Sequence, residues 1–174
     1  MNIKLRVIRA GLAICVFLQI SFFVLSWSSL LPPGLFMQMS VPGLSVAAMR
    51  ALVLQERLAG AALALPALMT LYYGLWRLER MLANFERHAM FDLATIGHLR
   101  AFAGATLLST LLSIVEPPLR ATVFRVGFGA HDARLSIGVS SEGLLLILVC
   151  GLFYLIAHMM HEGRRLAEEN AGFV

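Results

Sequence analysis

The sequence predicts an all-α membrane protein: a four-transmembrane-helix antiparallel bundle with a cytoplasmic amphipathic helix and a small extracytoplasmic β-hairpin. Composition is the first observation behind this. Of 174 residues, 59% are hydrophobic and only 14% charged, whereas soluble domains run about 45–50% apolar and about 25% charged. A chain this short cannot hide so much apolar surface in one soluble core. The second observation is that the apolar residues fall into four runs, each near the roughly 20 residues that cross a bilayer. The third is that Pro, Gly and charged residues collect between those runs. An ordinary soluble enzyme, a disordered regulator and a nucleic-acid-binding domain are excluded on this composition.

The first run, 7–31, follows the basic residues Lys4, Arg6 and Arg9. That flank resembles a signal peptide, but the apolar stretch exceeds the 7–15 residues of an h-region and no A-x-A-like site closes it. It reads as a retained span, stopped by Pro32, Pro33 and Gly34. After a loop punctuated by Pro42 and Gly43, the second span covers about 51–76. It opens on Gln55, Glu56 and Arg57, holds Pro66, which a membrane helix tolerates, and ends in the aromatic belt Tyr72, Tyr73 and Trp76. In 77–100, apolar residues at 78, 81, 82, 85, 89, 93 and 96 recur at helical spacing among charges, which predicts an amphipathic helix lying along the membrane surface, with Met90–Asp92 as the place where it could break. The third span covers about 101–123, and its Pro117–Pro118 pair is expected to break the helix at about 116. In 121–141, alternation around Gly127, Gly129 and Asp132 predicts a hairpin, with 134–140 pairing to 121–127. The fourth span is 143–160, followed by a polar tail over 161–174. The whole of 1–174 reads as one membrane domain.

Basic residues set the orientation. Three Lys/Arg at the N-terminus, four in 77–100 and two in the tail make nine on one side, against Arg50, Arg57, Arg120, Arg125 and Arg134 on the other. The positive-inside rule then places both termini and the 77–100 segment in the cytoplasm of a bacterial inner-membrane protein. The net charge of +4 is explained by topology and anionic lipid without direct nucleic-acid contact. Cys15 and Cys150 lie inside apolar runs, where nothing would stabilise a thiolate.

Three constellations could carry chemistry. Arg50, Glu56, Arg57, Glu116 and Arg120 gather at the outer ends of the second and third spans. Charges at that depth pair with one another or mark a ligand site, and Glu116 is expected within salt-bridge reach of Arg50, Arg57 or Arg120. His158 and His161 share a helix face and are the candidate metal or haem ligands, although no metal-binding motif accompanies them and no cofactor is implied. Gly60–Ala64 and Ala101–Ala105 would let helices approach closely, within the bundle or in a homo-oligomer. There is no P-loop, nucleophile elbow or dinucleotide fingerprint, so the expected protein is not an enzyme. The serines and threonines of the spans are expected to satisfy helix carbonyls.

The second half resembles the DUF2975 family of small bacterial four-helix membrane proteins. The resemblance rests on Phe91-Asp92-Leu93-Ala94-Thr95-Ile96-Gly97-His98-Leu99-Arg100 entering the third span, and on Gly163, Leu166, Glu168, Glu169, Asn170 and Val174 in the tail. Leu93-Ala94-Thr95 stands where that family carries an Asn. The resemblance implies no activity. It implies a neighbouring helix-turn-helix regulator, and hence a membrane partner for a cytosolic protein; the polar tail, whose Arg164, Arg165, Glu168 and Glu169 are more charge than anchoring needs, supplies the candidate partner-binding residues. The expected function is a non-enzymatic regulatory or binding module. The alternatives are a small oligomeric transporter or channel subunit, for which the spans offer few mid-membrane polar residues, and a His-ligated metal or haem protein.

Overall fold

The computed structural model describes residues 3–28, 41, 44, 49, 51–86, 93–128 and 140–171. Within them the chain forms four long helices: α1 (Ile3–Trp27), α2 (Leu54–Glu86), α3 (Leu93–Phe128) and α4 (Ser141–Ala171). Each is long and apolar enough to cross a membrane, which fits a multi-pass membrane protein. At 1.5 Å per residue, the 36 residues of α3 extend about 54 Å, well beyond the roughly 30 Å hydrocarbon core. The helix ends therefore carry charge without placing it in lipid. The outward faces are apolar, with Phe17, Leu18, Leu145 and Leu148 all exposed. In water such a surface would drive aggregation; in a bilayer it is the required one.

Contacts fix the packing. The Ser109 hydroxyl donates to the Ala67 carbonyl at 2.8 Å, Ala105 lies against Gly74 and Asn84 donates to Thr95. As numbering rises along α2 it falls along α3, so the two are antiparallel. Arg9–Glu79 and Trp27 against Gly60 orient α1 and α2 in the same way. The edge-on pair Phe102–Phe153 and Arg100 over Tyr154 do so for α3 and α4. The core lies near one end, where Met81, Ile96, Leu99 and Ala157 are buried, with Leu78, Phe102, Phe153 and Met160 around them.

Three expectations change. No surface helix spans 77–100: α2 continues to Glu86 and α3 begins at Leu93. The stripe of Leu78, Met81 and Leu82 finds its apolar partner in Ile96 and Leu99 of the same chain, and so has no need of the lipid surface. Pro117 and Pro118 do not end α3, which runs to Phe128. In a membrane, leaving the chain unpaired is worse than losing two intrahelical donors. The proposed first strand, 121–127, is therefore helix. Arg120, Ala121 and Phe124 are buried along one of its faces, and Phe124 packs edge-on against Phe128. No strand occurs among the described residues, and 129–139 of the expected hairpin lie outside them.

Candidate functional site

The Glu116–Arg120 pair anchors the site. One turn apart on α3, they form a salt bridge from Arg120 Nη1 to Glu116 Oε1, with side chains only 2% and 11% exposed for Arg120 and Glu116 respectively. The Arg120 guanidinium also stands 5.9 Å from the centroid of the Trp27 ring. That indole lies where α1 meets α2 because Gly60 leaves room: a Cβ there would collide with its ring. A charged pair, an aromatic ring and a glycine thus close one end of the bundle.

Below them lies a cavity of about 340 Å³ lined by α1, α2 and α3 together with Val41 and Leu146 of α4, within the roughly 300–1,000 Å³ of small-molecule sites. Its apolar wall includes Phe22, Phe23, Ala64 and Leu68. Its polar wall comes from α3, where Thr106, Ser109, Thr110, Ser113 and Glu116 follow one another at helical spacing. Most of these hydroxyls are engaged as expected. Thr106 donates to the Phe102 carbonyl, Thr110 to that of Thr106 and Ser113 to that of Thr110, while Ser109 reaches across to α2. Ser26 is different. It lines the cavity, is 8% exposed, and its hydroxyl has no hydrogen-bond partner among the described residues. A buried unpaired hydroxyl is costly and asks for a partner from the space it borders.

The other expected site residues are dispersed. Glu56 accepts from the Val53 N–H at 2.9 Å, which is the reciprocal half of a capping box at the start of α2. Arg57 donates to the carbonyls of Leu52 and Met49. Both secure the entry into α2, and the basic partner expected for Glu116 is Arg120 of the same helix. Arg50 lies outside the described residues. His158 and His161 are exposed on α4, and no group of three or more potential metal ligands forms among the described residues. Arg165 bridges Glu162 and Glu169 at 3.4 and 3.3 Å on an exposed turn of α4, with the half-buried Arg164 beside them; the Glu168 side chain lies outside the description. Gly60 faces Trp27 of its own chain, so this small-residue position serves intrachain packing.

The α3 polar stripe was not read as a site from the sequence, although the positions 106, 109, 110, 113, 116 and 120 show helical periodicity. The expectation that the spans are nearly free of polar residues at mid-depth does not hold for α3. No family profile, curated protein or solved structure matches the chain.

Proposed function

We propose that the chain is a non-enzymatic binding module of the bacterial inner membrane, and that it holds a small, largely apolar ligand in the cavity beside Glu116. The observation that carries this is the buried, unpartnered Ser26 hydroxyl on a cavity whose opposite wall is the polar stripe of α3. A stripe used only for packing would leave no such space. The nine-to-five split of basic residues supports an orientation with both termini and the α2–α3 connection in the cytoplasm, in which the cavity lies in the outer half of the bilayer. Ligand occupancy would be read at the inner helix ends. There α4 projects past its span with Arg164, Arg165 and Glu169, a charged surface suited to a cytosolic protein such as the helix-turn-helix regulator implied by the DUF2975 resemblance.

Native mass spectrometry of the protein released from its own membranes tests this. The wild type is expected to carry a retained apolar molecule that Ala64→Phe, which fills the cavity, does not. Identical spectra for the two, both without adduct, contradict the reading. The same polar stripe is also what a small transporter subunit would present. That second reading predicts ligand flux across proteoliposomes, whereas a binding module retains the ligand without net transport.

A further inference from the structure

At the opposite end of the bundle from the cavity, α2 leaves its span through Tyr73, Trp76, Arg77 and Arg80, and α3 enters through His98. Arg77 Nη1 lies 3.2 Å from His98 Nδ1. A guanidinium only donates, so Nδ1 accepts and the imidazole carries its proton on Nε2. The same guanidinium donates to the Tyr73 hydroxyl from Nε and Nη2, at 2.9 and 2.7 Å. The guanidinium carbons of Arg77 and Arg80 stand 5.7 and 5.2 Å from the centroid of the Trp76 ring. Two permanent cations therefore share one indole, and His98 holds one of them in place.

Among the described residues, the groups that Arg77 touches are neutral: the Tyr73 phenol, the His98 imidazole and the Trp76 ring. Arg80 rests on the Trp76 ring. The acid between them in sequence, Glu79, is engaged by Arg9 at 3.0 Å. Among the described residues, no carboxylate pairs with Arg77 or Arg80. Two guanidiniums that no described carboxylate neutralises, at a helix crease, match phosphate, whose oxygens take several charge-assisted hydrogen bonds at once. Tyr73 and Trp76 are 45% and 47% exposed, as aromatic residues at headgroup level are, so the crease opens where lipid headgroups lie and the acyl chains would run down the apolar face of α2.

We infer that Arg77 and Arg80, the former held in place by His98 and Tyr73, form a binding site for the phosphate of an anionic phospholipid headgroup. It is independent of the cavity, and its occupant differs from the cavity's in charge and location. The test uses the full chain in phosphatidylcholine nanodiscs containing either dibrominated phosphatidylglycerol or dibrominated phosphatidylcholine. Bromines quench tryptophan on contact, and a Trp76→Phe control isolates the Trp76 signal from that of Trp27. Phosphatidylglycerol is expected to quench Trp76 at a mole fraction at least about fivefold lower than phosphatidylcholine does, one arginine near an anionic headgroup supplying about fivefold. Arg77→Gln with Arg80→Gln is expected to equalise the two lipids. Arg80→Gln alone, at an exposed position where folding is not at stake, is expected to lose about fivefold. Equal quenching by both lipids in the wild type, or an unchanged preference in Arg80→Gln, overturns the site. A preference abolished by adding inorganic phosphate to the buffer assigns the crease to a soluble anion and overturns the lipid assignment.

Discussion

Glu116 and Arg120 are the residues whose burial is most expensive, and their pairing shows what spacing alone can and cannot reveal. An acid and a base four apart on a helix share a face, so their contact was legible. Their supposed partners Glu56 and Arg57 were placed at the right depth, but depth does not fix which way a helix face turns, and these two side chains serve the start of α2 instead. Glu116→Ala removes the carboxylate from a nearly fully buried guanidinium. Breaking a buried pair costs about 3–5 kcal/mol, whereas Glu142→Ala alters an exposed charge in the first turn of α4. Thermal denaturation in detergent is expected to separate the two variants clearly, and equal melting temperatures would contradict the buried clasp. Gly60 offers a second contrast. A Cβ there collides with the Trp27 ring, while Gly97 has open space around it. Gly60→Ala is expected to destabilise by about 1–3 kcal/mol through overpacking and to shift Trp27 emission. Gly97→Ala is expected to be neutral or stabilising, because alanine is the better helix former.

Among the elements, spans were read well and their ends poorly. Four apolar runs survive as four helices because apolar content over about 20 residues is a strong signal. The ends depended on local rules that the bundle overrides. The proline pair of α3 would stop a helix in water, and the alternating residues after it would suit a strand, yet α3 continues through both because its Arg120–Ala121–Phe124 face is buried. The amphipathic stripe of 77–86 was correctly seen as periodic, but its partner was another helix of the same chain. The start of α4 follows local chemistry more faithfully. Ser140 Oγ accepts from the Gly143 N–H at 3.0 Å, an N-cap worth about 1 kcal/mol. Ser140→Ala is expected to lower stability by about that amount, measurably less than Glu116→Ala. A loss as large as that of Glu116→Ala would mean that Ser140 does more than cap.

For the whole molecule, the pattern is a bundle closed at both ends and open between. The end with the α2–α3 turn is closed by the core around Met81 and Leu99 and by Arg9–Glu79. The other is closed by Trp27, Gly60 and the Glu116–Arg120 pair. Between these closures lies the cavity, which no composition or periodicity could have announced, since it arises from how the helices meet. Orientation is open to a direct check: Asn170→Cys is expected to react with membrane-impermeant maleimide only after the cells are opened, and Ser140→Cys in intact cells. Whether the cavity holds a ligand is tested most directly by restoring lipid to delipidated protein. A ligand present at ten times its dissociation constant stabilises the folded state by about 1.4 kcal/mol, which is about 3–5 °C for a chain of this size. Total lipid extract from the source membrane, compared with a synthetic phosphatidylcholine–phosphatidylglycerol mixture of the same anionic content, which fills the Arg77–Arg80 site equally in both proteins, is expected to raise the wild-type melting temperature by that margin and to leave Ala64→Phe unmoved. An equal rise in both proteins, or in neither, would contradict the cavity as a binding site.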